Sequence, residues 1–219
     1  AQSVLLHGVT ASGKTELYLQ AIDRVLKQGR SAISLIPEIA LTPQTIDRFQ
    51  ARFGAGVSVW HSRLTQRARA REWERLSRGQ CRIVDGARSA VFAPVERLGL
   101  VLLDEEHEQT YKQEEVPRYH AREVALARAR LAGATVVLGS ATPSVESTYA
   151  ATQHHAQLVT LPERVTAHEL PTVEVIDMRH IPATRYRAGP LSDQLQRALQ
   201  QTVKRGQQAM LLLNRRGFA

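Results

Sequence analysis

Gly8-Val9-Thr10-Ala11-Ser12-Gly13-Lys14-Thr15 matches the phosphate-binding pattern G-x-x-x-x-G-K-[ST] in full and follows the apolar run Val4-Leu5-Leu6. Glycine at both ends lets the backbone close around phosphate oxygens, so that successive N–H groups donate to an anion at the head of a helix. In that pattern Lys14 reaches the β and γ phosphates of a nucleotide triphosphate and the Thr15 hydroxyl ligates its magnesium. The expected nucleotide loop is therefore Gly8, Val9, Thr10, Ala11, Ser12, Gly13, Lys14 and Thr15. A Gly/Ser turn before an ordinary helix is the competing reading. Context opposes it, because Leu17, Tyr18, Ala21, Ile22, Val25 and Leu26 recur at helical spacing after the loop and complete a strand–loop–helix frame.

A second signal lies in mid-chain. The apolar run Leu100-Val101-Leu102-Leu103 ends abruptly in Asp104-Glu105-Glu106-His107. Ligands sit at strand ends in open α/β sheets, so the edge that presents the phosphate loop is expected to present these acids. Asp104 is placed to hold magnesium through its water shell, and Glu105 to orient and activate the water that attacks the γ phosphate. Lys14, Asp104 and Glu105 are thus the expected catalytic set, with Thr15 and Asp104 at the metal. Three adjacent acids also suit a solvated loop, and His107 also suits a hydrogen-bonded surface position. Gly139-Ser140-Ala141-Thr142-Pro143 again follows an apolar strand and precedes a helix. Ser140 and Thr142 either cap that helix or, with His107, carry the state of the nucleotide to another site.

Strand-like and helix-like segments alternate elsewhere, which predicts an α/β fold with a mostly parallel sheet flanked by helices. Strands are expected at residues 32–36, 57–60, 81–84, 100–103 and 135–138. Helices are expected through Ile46, Phe49 and Phe53, over residues 65–78, over 120–131, and from Pro143 to about Ala151. Pro162, Pro171, Pro182 and Pro190 mark a change of texture, followed by a helix at 191–204 and a strand at 209–213. These readings predict a first domain over residues 1–160, a passage over 161–190, and the incomplete beginning of a second domain over 191–219. The chain reads as a fragment of something larger.

Lys and Arg number 29 against 21 Asp and Glu, a net charge of +8 that suits a nucleic-acid partner or simple solubility equally. The one cysteine, Cys81, precludes an internal disulfide or a cysteine-based zinc site within the chain, and a buried strand is its expected home. No signal-peptide pattern and no apolar run of membrane-spanning length is present, so a cytosolic location is expected.

With G-x-x-x-x-G-K-T, D-E-x-H and S-A-T in this order, the chain resembles superfamily 2 helicases. Further blocks narrow the resemblance: Pro37-Glu38-Ile39-Ala40-Leu41-Thr42-Pro43-Gln44, Tyr111-Lys112-Gln113, Arg118-Tyr119-His120-Ala121-Arg122 and Leu213-Asn214-Arg215-Arg216-Gly217. With Val9 to Glu16 and the acidic and S-A-T blocks they look like the PriA family of bacterial primosomal helicases. That resemblance implies two RecA-like lobes and a 3′ to 5′ ATP-dependent DNA helicase that restarts stalled forks. It implies forked DNA, other primosome proteins and single-strand binding protein as partners, and a nucleoid-associated place in the cytoplasm. Zinc-binding cysteines and the second lobe's arginines would lie beyond this chain.

The resemblance also supplies candidate nucleic-acid contacts. Tyr111, Lys112, Arg118, Tyr119 and His120 resemble an aromatic-rich loop that senses single-stranded DNA. The residue types suit this, since aromatic rings stack on bases and Lys and Arg hold phosphates. A solvated loop with its tyrosines packed on the core is the alternative. Pro37, Glu38 and Thr42 resemble a block that lies along the DNA strand, although Thr42 and Pro43 also read as a helix N-terminus. Arg88 and Ser89 are candidate contacts as well. Ala11 and Ala87 depart from the family's usual glycine and threonine. Arginines 67, 69, 71, 75 and 78, interleaved with Glu72 and Glu74, read as a salt-bridged solvated face. A non-catalytic primosome scaffold, an RNA helicase and a duplex translocase remain alternative functions.

Overall fold

The computed structural model describes residues 2–165, 172–180 and 191–212. The chain forms two compact units, residues 1–168 and 169–219.

The first unit is built on a seven-stranded sheet. Its strands are β1 (Ser3–Gly8), β2 (Ser31–Leu35), β3 (Val57–Trp60), β4 (Ile83–Gly86), β5 (Leu98–Leu103), β8 (Thr135–Ser140) and β9 (Gln157–Leu161). They lie in the order β3-β4-β2-β5-β8-β1-β9, and every pairing is parallel. Parallel strands need crossovers, and helices α1 (Lys14–Lys27), α2 (Pro43–Phe53), α3 (Gln66–Ser77), α4 (Ala121–Ala132) and α5 (Val145–Thr152) provide them. All residues of β2 and β5 are buried, as expected for central strands covered on both faces.

Two apolar cores result. One face packs Leu6, Ile36, Leu100 and Leu102 against Tyr18, Ile22 and Phe49 of α1 and α2, and the other packs Leu5, Val101, Leu103 and Val136 against Ala121, Ala125 and Ala129 of α4. Alanines let α4 lie close to the sheet. Each fully buried Leu or Ile contributes about 1.5–3 kcal/mol of transfer free energy.

Several expectations need correction. The strand predicted at 81–84 runs from Ile83 to Gly86, so Cys81 is buried just before it with Sγ 3.6 Å from the Ala55 carbonyl. The edge strand β9 was not expected. Neither was the two-stranded antiparallel hairpin of β6 (Lys112–Gln113) and β7 (Tyr119–His120). The helix expected from residue 120 starts one residue later, with His120 as its N-cap accepting from the Arg122 N–H through Nδ1 at 3.2 Å.

In the second unit α6 (Asp193–Lys204) is capped by Ser192, whose hydroxyl accepts from the Leu195 N–H at 3.1 Å. The strand predicted at 209–213 is absent from its described part, residues 209–212, where Met210 and Leu212 are 98% and 95% exposed. A strand needs a neighbour to pair its backbone. Leu213 and the 214–217 block lie outside the described residues.

Candidate functional site

The Gly8–Thr15 segment joins β1 to α1 at the carboxyl edge of the sheet. Gly13 has φ 88° and Ala11 φ 64°, so both hold the left-handed conformation the loop demands. At Ala11 that conformation costs about 1 kcal/mol. Lys14 is 9% exposed and folds back over the loop, donating to the Gly8 carbonyl at 2.8 Å and to the Val9 carbonyl at 3.5 Å. The Ser12 hydroxyl is buried with no hydrogen-bond partner. Lysine donors parked on backbone carbonyls and an unspent hydroxyl are what a polyphosphate would take up, so these residues fit the expected ligand.

Lys14, Thr15, Asp104 and Glu105 line one cleft of about 840 Å³, together with Arg48 and Arg52 of α2. Val165 closes over it, its N–H donating to the Ala11 carbonyl at 3.0 Å. Asp104 continues β5 on the α1 face. Its Oδ1 accepts from the Tyr18 hydroxyl at 2.9 Å. Burial holds the Asp104 carboxyl above the usual carboxylate range, partly offset by that hydrogen bond. Tyr18 itself is held protonated by burial and by the Asp104 charge, so it remains the donor. Gly139 makes this possible, because a Cβ there would stand 1.7 Å from the Tyr18 hydroxyl. Tyr18 was read only as a core residue of an amphipathic helix, and nothing in its spacing signals the hydrogen bond.

Glu105 has φ 44°, a strained conformation for a glutamate. Beside it the three coupling candidates meet: Ser140 Oγ lies 2.8 Å from His107 Nδ1 and 3.5 Å from Glu105 Oε2, and Thr142 Oγ1 lies 3.5 Å from His107 Nε2. The helix-cap alternative for Ser140 and Thr142 does not hold. Ser144 caps α5, accepting from the Ser147 N–H at 3.2 Å.

Glu106, given no role from sequence, is 1% exposed. Its carboxylate accepts from the Ser144 N–H at 2.7 Å, the Ser147 hydroxyl at 2.8 Å and Arg122 at 3.1 Å. Burial alone would raise its pKa, but these hydrogen bonds outweigh it and hold the carboxyl below its ordinary value. The third acid is therefore a clasp between β5, α4 and α5. Among the described residues no cluster of three or more His, Cys, Asp or Glu side chains could hold a metal. Magnesium shared between one carboxylate, one hydroxyl and substrate phosphates needs no such cluster.

The nucleic-acid candidates fall in two places. Pro37, Glu38, Arg88, Ser89 and Tyr111 line a groove of about 280 Å³, and Arg69 joins them from α3. Lys112, Arg118, Tyr119 and His120 line a cleft of about 600 Å³ at the hairpin. Tyr111 departs from expectation, for it is fully buried. Its hydroxyl donates to the carbonyls of Asp104 and Leu35, at 2.7 and 2.9 Å, so its ring is not free to stack on a base. Thr42 acts as N-cap of α2, accepting from the Thr45 N–H at 3.3 Å. Arg88 donates to the Thr110 and Lys112 carbonyls at 3.1 and 2.7 Å and lies over the Tyr119 ring, 5.9 Å from its centroid. Tyr119 in turn packs edge-on against Phe92.

A family model described as DEAD/DEAH box helicase matches residues 1–150. The chain belongs to the DEAD/DEAH box helicase family. Within that family it is similar to replication restart proteins. It is 50% identical over 215 residues to the replication restart protein PriA of Bacillus subtilis, covering 98% of this chain and 27% of that protein. It is 47% identical to PriA of Treponema pallidum, covering 100% of this chain and 32% of that one. The chain thus spans about a third or less of the curated relatives' length. Among solved structures, RecG bound to a three-way DNA junction matches with a TM-score of 0.56 at 21% identity, over 93% of this chain and 25% of that one. The Pyrococcus furiosus Hef helicase domain matches with a TM-score of 0.54 at 16% identity, over 74% of this chain and 35% of that one. These two likenesses establish the RecA-like helicase fold.

Proposed function

We propose that this chain is the ATP-binding lobe, with the beginning of a second lobe, of an ATP-dependent DNA helicase that acts in replication restart and moves 3′ to 5′. The lobe occupies residues 1–160, the passage 161–190 and the second lobe's beginning 191–219. The observation that carries this reading is the shared cleft, in which the Lys14 loop and the Asp104-Glu105 acids face one ligand space.

Lys14 exchanges the Gly8 and Val9 carbonyls for phosphate oxygens when substrate arrives. Loop N–H groups and the Ser12 hydroxyl donate to the same anion. Thr15 and Asp104 would hold magnesium, which when bound neutralises charge developing on the phosphates. Tyr18 fixes the Asp104 carboxylate. Glu105 orients the attacking water and takes up its proton. Ser140, His107 and Thr142 relay the state of Glu105 toward the bound strand. DNA is the intended polymer, with primosome proteins and single-strand binding protein as partners, in the cytoplasm and at the nucleoid. Among the described residues no helix is long and apolar enough to cross a membrane.

The test is ATP hydrolysis by the intact protein with forked DNA, single-stranded RNA and plain duplex. Forked DNA should stimulate most, and Lys14→Ala should lower the rate by roughly 10²-fold or more. Equal stimulation by RNA would reassign the polymer, and an undiminished rate in the variant would remove the nucleotide site.

A further inference from the structure

The groove beneath α3 has a charge problem. Of its lining, Glu38 is the acid, and it would repel a phosphodiester. Arg88, the cation expected to hold that phosphate, donates through Nη1 to the Thr110 and Lys112 carbonyls and lies over the Tyr119 ring, so its charge balances that of Glu38 while its position is tied to the hairpin. Its role is to pin the hairpin. A strand lying in the groove needs another positive charge.

Helix α3 supplies it. Its arginines divide into two sets. Arg75 pairs with Glu72 at 2.9 Å and Arg78 with Glu74 at 2.6 Å, as a salt-bridged face predicts. Arg67, Arg69 and Arg71 carry no ion pair among the described residues. Of these three, Arg69 alone lines the groove, together with Pro37, Ser62 and Ser89. The helix is fixed in that position by its Thr65 N-cap, whose hydroxyl accepts from the Ala68 N–H at 3.2 Å, and by Glu72, which accepts from the Ser58 hydroxyl of β3 at 2.7 Å. An unspent guanidinium on a braced helix keeps its donors in a planar fork suited to phosphate.

We propose that Arg69 is a phosphate anchor for a single DNA strand in the groove lined by α3 and the Pro37-Glu38 segment, adding the positive charge that Glu38 and Arg88, neutral together, do not supply. This rests on the DNA reading given above. Ser62 and Ser89 add neutral donors. Sequence alone hid the assignment, because the alternation of Arg and Glu along residues 67–78 makes all five arginines look alike.

The experiment is fluorescence anisotropy of a labelled oligothymidylate bound to the intact protein across a salt series. Losing one phosphate contact on a single strand lowers the slope of log affinity against log salt by about 0.7, which is about five-fold in affinity near 0.1 M salt. Arg69→Gln should show that loss, Arg69→Lys should keep most of the slope, and Arg67→Gln should match the parent. An unchanged slope in Arg69→Gln overturns the proposal, and so does an equal loss in Arg67→Gln. If Lys112→Ala and Tyr119→Ala weaken binding while Arg69→Gln does not, the DNA reading survives without the anchor. Loss seen with oligouridylate but not with oligothymidylate overturns the assignment to DNA.

Discussion

Asp85 shows how one buried carboxyl can cost stability. It sits on β4, fully buried, with neither carboxyl oxygen hydrogen-bonded, opposite Ser34 in the β2–β4 register. Burial pushes its pKa up to about 7, and the Asp104 charge adds to it. The folded state therefore binds a proton that the unfolded chain has released. Stability from this group is fully present below the ordinary value of 3.8 and is lost as pH rises through about 7. The window spans roughly three units, on the order of 4 kcal/mol. Asp85→Asn should remove this component. The urea midpoint of the variant, measured relative to the parent, should climb as pH is raised from about 4 to about 7. A difference that stays constant over that interval would show that Asp85 does not titrate there.

At the scale of elements, what could be read from sequence depended on whether a segment's neighbours were implied by its own pattern. The Gly8–Thr15 loop and β5 were legible because a phosphate loop and a fully apolar run each carry their context with them. β9 was not, because its residues are largely exposed and only pairing with β1 makes it a strand. The hairpin of β6 and β7 has two residues per strand, too few for any periodicity. Tyr18 fell at an apolar position, where spacing predicts burial but says nothing of the hydroxyl, and Tyr111 lies in a segment with no periodicity to predict its burial. Glu106 belongs to the same class: an acid beside two others looked solvated, whereas it ties the end of β5 to α4 and α5. Glu106→Gln leaves the Arg122 guanidinium, 12% exposed, with only the exposed Glu123 carboxylate, 3.3 Å from its Nε, as counter-charge. Breaking such a buried pair costs about 3 kcal/mol, so the melting temperature should fall by roughly 10 °C. The lowered pKa gives a second signature. The clasp's contribution holds above the ordinary value of 4.5 and fades as pH falls below it, so the gap between parent and variant should narrow in acid. A calorimetric scan showing equal gaps at neutral and acidic pH would contradict the clasp.

At the scale of the molecule, the first unit sets two ligand spaces on one sheet edge and joins them through a single buried ring. Tyr111 follows the acidic segment and precedes the hairpin. Its hydroxyl bridges the carbonyls of Leu35, at the end of β2, and Asp104, at the end of β5. Burial, with the charges of Asp104 and Glu105, raises its pKa well above the ordinary value, so the phenol stays protonated and donates across the working pH range. Arg88 ties the same segment from the other side through Thr110 and Lys112. A strand that moves the hairpin must therefore pull on the backbone that positions Asp104. Such coupling exists only if the link has two arrangements that both ligands bias. Tyr111→Phe keeps the packing volume and deletes the bridge, leaving two carbonyls one donor short. The ratio of DNA-stimulated to basal ATP hydrolysis in the intact protein should fall by about tenfold, equivalent to about 1.4 kcal/mol of coupling. Binding of the oligothymidylate should change far less than that ratio. If the stimulated and basal rates fall together, Tyr111 only stabilises the edge. If the ratio falls alone, the phenol is the link between strand and nucleotide.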